Sequence, residues 1–224
     1  MLYLASYNFD WSVVIDRWRL FVAGAWVDLW VASIGFALAC GIGLVNALLR
    51  TSGVRVFSIP SFLYVQVMRG IPLYVLLLWV YFGLANVTGI TFTSFQAIVI
   101  ALALTGSGYT TEIFRAGLGA IDRGQMEAAR SIGLSRLRTY QHVILPQAFR
   151  VVVPPLGNTF VGLLKGATIM AVIAVPDMVF LANELNVTLF TPFEVFAAVA
   201  GLLVVMVLFF SAVVVLLERR LRLA

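Results

Sequence analysis

The chain has 224 residues, of which 62% are hydrophobic and 11% charged, and its mean hydropathy is +1.04. Soluble domains are about half apolar and about a quarter charged, so this chain lacks the charge needed to cover a globular surface in water. A soluble enzyme, a disordered chain and a nucleic-acid module are excluded, and the net charge of +5 has to be read against a membrane surface.

A membrane-spanning helix needs about 20 largely apolar residues, and five segments qualify. In chain order the expected spans are 21–49, 57–85, 91–115, 151–175 and 195–217, within a single transmembrane domain over 1–224. Each must be helical, because lipid offers the backbone no hydrogen-bond partner. The expected fold class is therefore all-α integral membrane with five transmembrane helices.

Ahead of the first span, residues 1–20 mix Asp10, Asp16, Arg17 and Arg19 with aromatic side chains. That mixture does not read as a cleavable signal. Trp11, Trp18, Trp26 and Trp30 cluster near the outer end of the span, as an interfacial anchor would. Asp28 begins its uncharged run, close to the outer boundary. Ala37 with Gly41, Ala39 with Gly43, and Gly106 with Gly108 would let helices approach closely. Cys40 is the single cysteine, so no intrachain disulfide can form.

The connections between spans set the orientation. The first holds Arg50 and Arg55, and the second, near 86–90, holds no charge. The third holds Arg115, Arg123, Arg130, Arg136, Arg138 and Arg150, while the fourth holds Asp177, Glu184 and Glu194 without a basic residue. The tail holds Arg219, Arg220 and Arg222. Basic connections face the cytoplasm. The long third connection and the C-terminus are thus expected inside, and the N-terminus outside.

That third connection, 120–147, is the most informative segment. Asp122 followed by Gln125 predicts a helix start in which Asp caps and Gln reaches back. The helix, 123–132, should end at Gly133 in a left-handed cap. Ser135 should open a second short helix, stopped at Pro146. Glu127 and Arg130 share one face of the first helix, and Ala128 and Ala129 lie beside them as a smooth strip. Two readings follow: the helix inserts into a groove on another protein, or it rests on the membrane face.

Glu127-Ala128-Ala129, then Gly133, then Val143-Ile144-Leu145-Pro146 resembles the EAA signature of ATP-binding-cassette importer permeases, with Val143 where the family pattern has Ile. Other stretches resemble the branch carrying polar amino acids (His/Glu/Gln/Arg/opine). These are Arg69-Gly70-Ile71-Pro72, Tyr109 with Glu112 and Arg115, Gly124-Gln125, and Leu145-Pro146-Gln147-Ala148 followed by Pro154-Pro155-Leu156-Gly157-Asn158. The resemblance runs from about Gly24 to the C-terminus.

It implies a type I importer permease fold with a cytoplasmic coupling helix. It also implies two permease subunits (a second copy or a related chain), two cytoplasmic ATPase subunits and a separate extracytoplasmic amino-acid-binding protein. Glu127, Ala128, Ala129 and Gly133 would contact the ATPase, with Arg130 a candidate on the same helix. The implied function is ATP-driven movement of a polar amino acid across a prokaryotic inner membrane by alternating access. ATP and Mg would be bound by the partner ATPase, so this chain is expected to hold no cofactor and no catalytic residue. No metal site is expected either, since His142 is the only histidine. The alternative is an ion-coupled secondary carrier of amino acids, against which the lack of an internal repeat argues.

Ionisable residues inside spans mark candidate pathways. Measured along straight helices at 1.5 Å per residue, Arg69 and Lys165 fall near the middle of a core about 30 Å thick. Two readings stand side by side for them. They bind a substrate carboxylate, or Arg69 is structural and pairs with Glu112 or with carbonyls near Pro72. The family often places Asp after this Lys, whereas here Gly166, Ala167 and Thr168 follow. Glu112, Asn158 and Thr168 complete the candidate pathway, with helix-to-helix hydrogen bonding as the other reading of the two neutral residues.

Overall fold

The computed structural model describes residues 8–222. Among them every regular element is helical, as the apolar composition requires. A short α1 (Ser12–Asp16) leads into α2 (Trp18–Thr51), whose 34 residues make a helix of about 51 Å. The second span is split into α3 (Arg55–Gly70) and α4 (Leu73–Leu78). From α4 the chain continues through a π turn (Trp79–Gly83) into α5 (Leu84–Thr88). The third span is α6 (Ser94–Gly119). Then come α7 (Arg123–Ser131) and α8 (Arg136–Thr139), a second π turn (Tyr140–Ile144), α9 (Leu145–Ala167) and a 3-10 segment (Thr168–Ile173). The shorter α10 (Met178–Leu189) and the last span α11 (Pro192–Arg222) complete the chain.

Four helices are long and apolar enough to cross a membrane, and five if the bent pair counts as one span. The second span is not the straight helix expected over 57–85. It turns by 103° between Gly70 and Leu73. The ring of Pro72 disfavours helical geometry at Ile71, which is extended (φ −82°, ψ 126°). The fourth span is longer than expected, because Pro146 does not stop the helix. Residues 136–173 run on as one rod. The π turn just before Pro146 widens the helix where the proline has no N–H to give and its ring needs room.

Glycines set how closely the rods pack. Ala39 and Gly43 face α6. A Cβ on Gly106 would lie 2.8 Å from that of Ala39, and one on Gly43 would overlap Thr110. Gly41 faces open space, so the Ala37/Gly41 pair lies on the outer side of α2. Polar hooks hold the same contact. The Thr110 hydroxyl donates to the Ala39 carbonyl at 2.7 Å, and the Asn46 amide donates to Thr111 Oγ1 and the Ser61 carbonyl.

Around this seam sits the main core, with Val31, Leu77, Val80, Ile98, Leu102 and Leu164 fully enclosed. A second cluster at the other end packs Phe21 and Val13 against Met178 and Val195. There Asp28 departs from its expected place at the start of a span. Because α2 begins ten residues earlier, at Trp18, Asp28 lies inside the helix and wholly buried, accepting the Met178 N–H at 3.4 Å. Trp11, Trp18, Trp26 and Trp30 are all exposed.

Candidate functional site

Two regions carry the candidate residues. The first is the arginine-rich hairpin built on α7. Asp122 caps this helix by accepting the Gly124 N–H at 2.6 Å, without the reciprocal Gln125 bond of a capping box. The helix ends one residue short of the expected Ile132, and Gly133 takes φ +85°, a left-handed cap that glycine reaches without strain. Ser135 accepts the Arg138 N–H and opens α8, as its spacing predicts.

The face of α7 is divided differently from the sequence expectation. Ala128 points out, whereas Ala129 is only 4% exposed, so the two do not form one exposed strip. Glu127 and Arg130 line a cavity of about 1130 Å³ between α7 and the ends of α2 and α6. Arg50, Thr51, Arg115 and Tyr140 line the same cavity. On the open side, Ile132 is 78% and Leu137 67% exposed, unusual for branched apolar residues in so polar a hairpin.

The second region gathers around the two helix breaks. Arg69 lies in the last turn of α3, where the carbonyl end of the helix favours a cation, and Lys165 lies where α9 tightens into the 3-10 segment. Arg69 pairs neither with Glu112 nor with carbonyls near Pro72. Its guanidinium stacks on the Tyr109 ring at 5.2 Å, close against Gly108. A Cβ on Gly166 would lie 2.9 Å from Leu73 Cδ2, so the end of α9 meets the start of α4.

Asn158, Gly162 and Lys165 are all exposed and recur along one face of α9, and the Thr168 hydroxyl donates to the Lys165 carbonyl at 2.9 Å. Glu112 stands apart from this group. One of its carboxylate oxygens takes Arg50 Nη1, and the other takes Arg115 Nε and Nη2 at 3.0 and 2.8 Å. Sequence reasoning missed that knot, although Glu112 and Arg115 stand three apart on one helix, a spacing at which opposite charges meet. Among the described residues no group of three His, Cys, Asp or Glu could hold a metal.

The chain's similarities follow the same architecture. The family described as "Binding-protein-dependent transport system inner membrane component" matches residues 39–223. The probable glutamine ABC transporter permease protein GlnM of Bacillus subtilis is 34% identical, over 94% of this chain and 97% of that protein. The glutamine transport system permease protein GlnP of Escherichia coli is 32% identical, over 96% and 99%. Among solved structures, a chain from the crystal structure of an amino acid ABC transporter with histidines superposes with a TM-score of 0.88. It is 35% identical, with 96% of this chain and 100% of that one covered.

Proposed function

The chain belongs to the family of binding-protein-dependent transport system inner membrane components, and on that premise we propose that it moves a polar amino acid inward by alternating access. It is an ABC transporter permease subunit, multi-pass in the inner membrane, and ATP hydrolysis belongs to a separate ATPase. Its partners are two ATPase subunits, which bind ATP and Mg, an extracytoplasmic amino-acid-binding protein, and a second copy or related permease. Residues 1–224 act as one transmembrane permease domain. The arginine-rich connections lie in the cytoplasm with the C-terminus, and the N-terminus lies outside. Nothing in the comparisons supports an ion-coupled carrier.

One observation carries the coupling role of α7. It is a separate short helix that offers Ala128 outward, with Ile132 at its end and Leu137 on α8 exposed beside it, and it packs on the π turn that feeds straight into α9. An ATPase cleft closing on Ala128 and Gly133 moves a rod that carries Lys165. Glu127 and Arg130 act from the inner side of the same helix. Differential contact in the two nucleotide states is what shifts the equilibrium between outward- and inward-open forms.

The pathway follows the two breaks. Arg69 and Lys165 accept the substrate carboxylate, and Asn158 and Thr168 supply neutral hydrogen bonds. Glu112, its oxygens engaged, lies at the cytoplasmic mouth. A polar face on a helix as apolar as α9 needs water or another chain against it, which supports placing this face toward the second permease.

The test is ATPase activity and uptake by the complete complex in vesicles, with a panel of amino acids that begins with glutamine. Wild type is expected to respond to one amino acid delivered by its binding protein, and Glu127→Ala and Gly133→Asp to lose that response. Normal coupling in both variants would reject the coupling role of α7.

A further inference from the structure

The Glu112 knot has a geometry that substrate binding does not use. At the cytoplasmic end of the bundle, α2, α3 and α6 are tied together at two levels. One turn inside, the Asn46 amide reaches both the Ser61 carbonyl and Thr111 Oγ1. At the rim, Glu112 takes Arg50 from α2 on one oxygen and Arg115 from α6 on the other, and the Arg50 guanidinium also lies 5.1 Å over the Phe62 ring of α3. One carboxylate between two guanidiniums leaves the rim with one positive charge in excess.

Arg50 and Arg115 of the rim line the 1130 Å³ cavity from one side, and Asp122, Glu127 and Arg130 of the α7 hairpin line it from the other. Those three leave one negative charge in excess. The walls are thus complementary in charge, yet no ion pair spans them: both ion pairs of the described residues lie within the rim. The α7 hairpin packs on the π turn that continues into α9, and α9 in turn packs along α6 and α2.

We propose that the Arg50–Glu112–Arg115 rim is the surface that receives the coupling helix, and that Glu112 is its positioning residue. Glu112 holds the Arg50 and Arg115 guanidiniums at the edge of the cavity that Glu127 also lines. When the ATPase drives α7 inward the cavity closes, Glu127 meets the rim, and the tied ends of α2, α3 and α6 move with α9 as one unit. This rests on the coupling role proposed for α7 above.

The complete complex, with ATPase and binding protein in vesicles, tests it through substrate taken up per ATP hydrolysed. Glu112→Gln keeps the shape and removes the charge, and is expected to lower that ratio roughly tenfold, a typical coupling effect. Glu112→Asp is expected to retain most of it.

A second measurement leaves every charge in place. In a Cys40→Ala background, Thr51→Cys at the end of α2 and Met126→Cys on α7 both line the cavity. A short bifunctional thiol reagent should join them faster in the ATP-trapped complex than without nucleotide. Equal rates in the two states overturn the proposal even if Glu112→Gln fails to assemble, and so does an unchanged uptake ratio in an assembled Glu112→Gln complex. If Gly133→Asp uncouples while Glu112→Gln does not, the rim alone is wrong. If neither uncouples, the coupling role of α7 fails first.

Discussion

Gly41 and Gly43 stand two residues apart on α2 and are asked to do different things. A Cβ at Gly43 would overlap Thr110 of α6 and crowd the Thr111 backbone, whereas one at Gly41 would meet nothing within 4 Å. In lipid, close backbone approach is a main source of helix association. Overpacking it costs about 1–3 kcal/mol. Gly43→Ala should therefore lower the melting temperature of the detergent-solubilised chain by roughly 2–10 °C, and Gly41→Ala should leave it unchanged. Equal shifts for the two variants would show that the α2–α6 seam is not packed as described. The small-residue spacing made both positions readable as packing glycines. It could not say which side of the rod meets α6, because that depends on where Thr110 and Leu163 arrive from other parts of the chain.

A residue outside the spans gives a test by pH. Asp177 caps α10 by accepting the Phe180 N–H at 2.7 Å, and its burial pushes its pKa from 3.8 up to about 6 against the pull of backbone donors. A raised carboxyl pKa means that the folded chain holds a proton the unfolded chain has already lost. Stability therefore falls as pH rises from about 4 to about 6 and levels off above that. Asp177→Asn keeps an oxygen for the Phe180 N–H and cannot titrate, so its melting temperature should fall less steeply across that window. An identical slope in both proteins would contradict this account.

At the scale of elements, hydropathy and charge located all five apolar segments, because length and composition alone decide whether a helix suits lipid. Interruptions inside the segments were harder to read. Arg69-Gly70-Ile71-Pro72 lies in an unbroken apolar run, and only the extended backbone at Ile71 reveals the 103° turn. Proline cuts the other way at Pro146, Pro154 and Pro155, which the helical rod absorbs. The difference shows directly before each break: Leu145 before Pro146 stays helical just past the π turn, whereas Ile71 before Pro72 is extended. Thr93 and Gln96 form the full capping box that opens α6, three residues later than the hydropathy edge at Thr91. Pro72→Ala removes roughly 3 kcal/mol of bias against a continuous helix. It is expected to leave membrane insertion intact and to reduce uptake several-fold, since Arg69 and Leu73 then lose the turn that sets them apart. Wild-type uptake in this variant would mean the break is incidental to transport.

For the whole molecule, the charge pattern makes the strongest claim that labelling can check. The coupling role of α7 needs that helix in the cytoplasm, and the exposed turn after α5 must then lie on the opposite side, since one span, α6, separates the two. Both requirements come from the same arginine distribution, so one experiment tests both. Cys40 is the only cysteine, which makes a thiol-free background a single substitution, Cys40→Ala. Within it, Asn86→Cys places a thiol in α5, one turn before the outward connection, and Ser131→Cys places one at the end of α7, both at exposed positions. A membrane-impermeant maleimide applied to right-side-out vesicles should label Asn86→Cys and spare Ser131→Cys, and inverted vesicles should give the opposite. Labelling of Ser131→Cys from outside would put the arginine-rich hairpin on the wrong side for an ATPase. The coupling role of α7 and the closing of its cavity against the Glu112 rim would then fall together, whereas the packing at Gly43 and the cap at Asp177 would be untouched.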